Sequence, residues 1–119
     1  MAKQKIKPIL PSLREKKRYV VFEVISDSSL DGSSVSENIM QSSLDFMGEL
    51  GVGNAGIMIL NDKWDNKTQK GIVKVHHKYV NHLKSSLMLI ENIDGHKAII
   101  RGIGVSGILK KAIHKYAAA

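Results

Sequence analysis

The chain has 119 residues, with 18 Lys and Arg against 11 Asp and Glu and no cysteine. That length fits one compact domain, and 43% hydrophobic with 24% charged residues is the balance of a folded protein, not a disordered one. The missing cysteines exclude a disulfide scaffold, a thiolate zinc site and a thiol nucleophile, and no apolar run approaches the roughly 20 residues of a membrane span.

Residues 1–17 read as a basic, extended arm, because Pro8 and Pro11 forbid helix around them. The arm leads into no signal-peptide core, so the expected compartment is the cytoplasm. Arg18 to Ser26 is rich in β-branched and aromatic residues and predicts a central strand. Val20, Phe22 and Val24 would share one face, with Tyr19, Val21, Glu23 and Ile25 on the other. Asp27 to Gly32 is a polar turn. Ser34 and Glu37 then fit a capping box, and apolar residues at helical spacing predict a helix over 34–50. Gly51 to Gly56 reads as a flexible connector. Ile57 to Leu60 predicts a short buried strand, and Asn61 to Gln69 a polar hairpin loop containing Trp64. Lys70 to His76 returns as a strand and Lys78 to Leu89 as a helix, with His76 and His77 flanking its start. Asp94-Gly95 is a turn, Lys97 to Gly102 a fourth strand, and Ile108, Leu109, Ala112, Ile113 and Tyr116 stripe a last helix.

The order is βαββαβ with an additional C-terminal helix, one α/β domain over 18–116 followed by a short 117–119 tail. Two βαβ-type halves joined by a hairpin predict a ferredoxin-like or RRM-like α+β sandwich with an antiparallel sheet. RNA-binding domains, metabolite sensors and enzymes all use this layout, so it decides no function.

The basic excess lies at the two ends of the chain. Lys3, Lys5, Lys7, Arg14, Lys16, Lys17 and Arg18 face only Glu15, and Lys97, Arg101, Lys110, Lys111 and Lys115 face no acid. The stretch between them, 19–96, is net acidic. Gathered charge of this kind is the footprint of a polyanion, nucleic acid above all. A membrane surface fits less well, since the arm lacks an apolar face.

Two stretches match G-x-G-x-x-G. Gly51, Gly53 and Gly56 follow a helix, the reverse of a dinucleotide fingerprint. Gly102, Gly104 and Gly107 have the right local order, but too little chain follows for a second strand. A glycine turn into a helix still suits a phosphate. Ser106 is an N-cap candidate, Gly107 permits close approach, and Lys110 and Lys111 in the first turn oppose the helix dipole unless an anion is near. The equally available structural reading is a tight strand-to-helix turn. His76, His77 and His82 lack the i, i+4 spacing of a metal pair, and Asp62 and Asp65 lack calcium-loop spacing, so no metal is expected on this chain. Glu23 and Glu49 have no partner spaced for acid–base work, and Ser106 matches a nucleophile elbow only loosely. No catalytic residue is expected. With six aromatics, and with Tyr19 and Phe22 on opposite faces, RNA contact should be to phosphates and shape, not base stacking.

Three segments carry a family resemblance: Pro11-Ser12-Leu13-Arg14-Glu15-Lys16-Lys17-Arg18-Tyr19 running into a strand, Gly48-Glu49-Leu50-Gly51, and Gly104-Val105-Ser106-Gly107-Ile108-Leu109-Lys110-Lys111. Together they resemble the archaeal ribonuclease P protein component 2 family, over about residues 8–116. At His76-His77 the resemblance implies an acidic helix cap that this sequence lacks. The resemblance implies a non-catalytic subunit of an endoribonuclease that removes the 5′ leader from precursor tRNA. It implies that the RNA subunit holds the catalytic Mg2+, with no cofactor bound by this chain. It also implies a barrel-shaped protein partner, component 3, with two such pairs forming a heterotetramer on the RNA, and precursor tRNA met through the complex. The residues then expected at RNA are Arg14, Lys16, Lys17, Arg18, Arg101, Ser106, Gly107, Lys110, Lys111 and Lys115. The alternative is a ferredoxin-like small-molecule or protein-interaction module with incidental basic ends.

Overall fold

A strand with no Gly or Pro and six β-branched or aromatic side chains in ten sits where its periodicity puts it, at the centre of the sheet. The computed structural model describes residues 16–117. Strand β1, Lys17–Ser26, lies between β3, Lys70–His76, and β5, His96–Ser106, and runs antiparallel to both. The short β2, Met58–Ile59, and β4, Asn92–Ile93, complete the order β2-β3-β1-β5-β4. Leaving out β4, which the sequence did not announce, this is the strand order of a split βαβ, and the ferredoxin-like expectation holds.

Val20, Phe22 and Val24 enter the main core beneath two helices, α1, Gly32–Ala55, and α2, Val80–Met88, meeting Val35, Ile39, Leu83 and Leu87. The two helices approach closely through serines: Ser42 donates to the Ser86 carbonyl at 2.6 Å and Ser86 to the His82 carbonyl at 3.0 Å. The opposite face is not left open. Helix α3, Leu109–Ala112, continues as a π-turn over Ile113–Ala117 and covers Val21 and Ile72, which with Ala112 form a second buried cluster. Helices therefore lie on both faces of the sheet.

Several local expectations give way to tertiary packing. The Ser34–Glu37 capping box does not form; α1 starts earlier, with Asp31 at its N-cap. Gln69 pins the preceding residue, accepting from the Leu30 amide (3.0 Å) and donating to its carbonyl (3.3 Å). Gly48, at φ 75° and ψ 171°, breaks α1, which resumes and ends at Gly56 (φ 61°). The expected flexible connector at 51–56 is thus largely helical, anchored by the fully buried Ala55. β2 is an edge strand with Met58 half exposed, not a buried one. Trp64 is no loop ornament: its ring stacks on Phe22 (centroids 6.1 Å, 27° between planes) and its Nε1–H donates to Asn66 Oδ1 at 2.7 Å. A 3₁₀ turn, His77–Tyr79, precedes α2. Asp94 and Gly95 both take positive φ in a two-residue hairpin turn between β4 and β5, the left-handed geometry such turns require.

β5 runs four residues beyond its expected end, so Gly102 and Gly104 are strand, not phosphate loop. Val21 pairs with Gly104 and Phe22 with Gly102, leaving Ile103 as the extra residue of a bulge. A side-chain carbon on Gly104 would lie 2.3 Å from the Tyr116 ring. Glycine here lets the C-terminal turn lie down on the sheet.

Candidate nucleic-acid interface

The two basic ends of the sequence meet because β1 and β5 are antiparallel neighbours: Tyr19 opposes Ser106. Arg18 Nη1 donates to the Lys17 carbonyl (3.0 Å) and lies 3.4 Å from where a side-chain carbon on Gly107 would be. Ser106 Oγ accepts from the Ile108 amide at 3.2 Å and donates to the Ile108 carbonyl at 3.1 Å, fixing the turn into α3. Ser106 is therefore not the N-cap; that position is Ile108, and it has no side-chain cap bond. Leu109, Ala112, Ile113 and Tyr116 hold α3 to the sheet, while Lys110, Lys111 and Lys115 are exposed. Lys115 Nζ stands 5.6 Å from the Tyr116 ring centroid.

The remaining predicted residues divide. Lys16 is exposed, and Lys17 Nζ sits beside Gly56 at the C-terminal end of α1. Arg101 is apart from the cluster. It opposes Glu23, roughly 17 Å along β1 from Arg18, and its Nε and Nη2 donate to Glu23 Oε1 at 3.2 and 2.9 Å. Arg14 and most of the 1–17 arm, with residues 118–119 of the tail, lie outside the described residues.

The sheet adds residues that no local pattern pointed to. β1 pairs with β3 so that Lys17 opposes His76 and Tyr19 opposes Lys74. The His77 amide donates to the Lys16 carbonyl at 2.8 Å. His76, His77 and Lys78 thereby flank the Lys16–Arg18 segment. His76 Nδ1 accepts from the Lys78 amide at 3.2 Å, so the imidazole supplies the helix cap in place of an acid. Its ring lies 4.7 Å from that of His77 and 6.1 Å from Tyr79, which in turn is 5.1 Å from His82. His77 is held below the usual imidazole range, first by loss of hydration and then by the positive charges of His76, Arg18, Lys16 and Lys78.

Among the described residues no three His, Asp or Glu side chains gather so as to hold a metal ion, and no helix is long and apolar enough to cross a membrane. The outer sheet face, where an RNA-recognition motif stacks bases, lies under α3 over Val21 and Ile72. Fold and surface define a split-βαβ protein with a cationic end suited to a phosphate backbone.

Comparison with known proteins places that class. Residues 18–117 match the model of the Rpp14/Pop5 family. The chain is 41% identical over 112 residues to ribonuclease P protein component 2 of Pyrococcus abyssi, covering 94% of this chain and 93% of that protein. The corresponding protein of Methanosarcina mazei is 34% identical over 111 residues, 93% of this chain and 92% of that one. A chain in the cryo-EM structure of yeast ribonuclease MRP superposes with a TM-score of 0.63 at 14% identity, covering 79% of this chain and 76% of that chain; this is a likeness of fold. The chain belongs to the Rpp14/Pop5 family. It is a protein subunit of ribonuclease P, part of an endoribonuclease complex and not its catalytic component, as the terminal motifs implied.

Proposed function

We propose that this ribonuclease P subunit supports the catalytic RNA in removing the 5′ leader from precursor tRNA by laying its cationic end on RNA phosphates. The observation that carries the reading is the β1–β5 pairing, which joins two basic segments more than eighty residues apart in sequence, with Arg18 against Gly107. Lys16, Lys17, Arg18, Lys110, Lys111 and Lys115 supply the charge, Arg14 extends it from the arm, and Gly107 lets backbone come close. Ser106 contributes by fixing the turn. Arg101 makes a separate contact only by leaving Glu23, and an exposed pair of that kind is worth only about 0–1 kcal/mol.

Catalytic Mg2+ belongs to the RNA in this reading, and the chain binds no cofactor. Its protein partner is the barrel-shaped component 3, in two pairs that form a heterotetramer on the RNA. Precursor tRNA is met through the assembled particle, in the cytoplasm. The test is reconstitution of leader removal from the RNA and its proteins with this chain left out. Cleavage should fall; undiminished cleavage refutes the reading and favours an interaction module with incidental basic ends.

A further inference from the structure

We propose that His77 is part of the RNA-binding surface and takes up a proton as a phosphate docks beside it. The inference rests on the RNA-binding reading above and names a residue outside the sequence-predicted set.

The geometry carries it. The His77 amide is tied to the Lys16 carbonyl at 2.8 Å, so its backbone is fixed to the basic start of β1. Strand pairing sets Lys17 opposite His76 and Arg18 opposite Val75, one residue further in. The charged groups that weigh on His77 come from β1 and the residue before it (Arg18 and Lys16) and from its own turn (His76 and Lys78), and all are basic. From α2, His82 reaches the same ring cluster through Tyr79. Like charges on neighbouring strands repel, so this arrangement disfavours a further cation in the free protein. A phosphate placed among the same groups reverses the sign, because it screens the cations and favours the imidazolium. His77 is half-buried, with its ring against His76 on one side, and so retains a surface for such a contact.

Linkage fixes the direction. The imidazole of the free protein titrates below its ordinary 6.5, and a bound phosphate raises it. Between those two values binding takes up as much as one proton, so affinity rises as pH falls, by at most about tenfold per pH unit. An ordinary lysine or arginine contact has no such dependence near neutrality.

The experiment is fluorescence anisotropy of a labelled ribonuclease P RNA transcript with the full chain, at constant salt, from about pH 8 down to about pH 6. His77→Gln and His77→Arg are measured beside the parent, with circular dichroism confirming that each is folded. The parent should gain several-fold more affinity than His77→Gln over that range. His77→Arg should bind at pH 8 about as tightly as the parent at pH 6. If the parent and His77→Gln bind RNA with the same pH profile, the inference is overturned while the RNA-binding reading stands. If none of the three binds the transcript at any pH, both fall.

Discussion

Arg18 at the start of the central strand lies against Gly107 at the turn into α3, which makes one cationic surface from two distant segments. Its chemistry is that of a counterion-releasing contact. Each phosphate neutralised adds about −0.7 to −0.9 to the slope of log affinity against log salt. Arg18→Ala with Lys111→Ala should therefore weaken binding to the ribonuclease P RNA and make that slope shallower by about 1.4–1.8. A double variant that keeps both the parent's affinity and its salt slope would remove these two residues from the interface.

Gly104 should be as sensitive as a core residue although it carries no side chain. A carbon added there would sit 2.3 Å from the Tyr116 ring, on the face that α3 covers. Gly104→Val should push that ring off the sheet, uncover Val21 and Ile72, and cost about 1–3 kcal/mol. Thermal melting would register this as a lower Tm. Adding Tyr116→Ala to Gly104→Val should cost little more, because the ring has already been displaced; fully additive losses would show that the two residues do not share a contact.

Much of this architecture can be read from local pattern, and the exceptions have physical causes. The two faces of β1 separate as alternation requires, because each is buried against a different layer, Val20 and Phe22 under α1 and α2, Val21 under α3. The Asp94-Gly95 turn follows from its two residues alone. β5 does not, because Gly102 and Gly104 look like a loop until pairing with β1 and the contact with Tyr116 explain them. The same holds for the site. That both ends are basic is visible in the sequence, but that Tyr19 opposes Ser106 is a long-range pairing with no local signature. His76, His77 and Lys78 were missed as contacts for the same reason; they reach Lys16 and Arg18 only through the β1–β3 register.

Gly48 isolates backbone strain from packing. It holds φ 75° and ψ 171° where α1 breaks, and a side-chain carbon there would meet nothing within 4 Å. Gly48→Ala should thus lower stability through conformation alone, by about 1–3 kcal/mol. Urea unfolding should show a reduced midpoint with an unchanged slope. A neutral result would mean that α1 straightens through residue 48 without loss, and that the break has no structural role.

Asp65 gives a pH dependence of folding that is separate from RNA binding. In the turn that leads into β3, its Oδ1 accepts from the Lys67 amide at 2.9 Å, while its own amide donates to the Lys70 carbonyl at 3.0 Å. The Lys67 amide bond is the main reason its carboxyl titrates below the usual 3.8, with further bonds from Thr68 and the Lys67 charge acting in the same direction against some loss of hydration. A depressed acid stabilises the fold when ionised, fully above 3.8, and loses that contribution as pH falls through the lower folded value. Asp65→Asn keeps a carbonyl acceptor for the Lys67 amide but removes the charge. The parent should therefore resist urea better than Asp65→Asn at neutral pH, and the gap between their midpoints should close as the solution is taken below 3.8. A gap that stays constant down to the acid end would assign its origin to the shape of the turn and not to the ionised carboxylate.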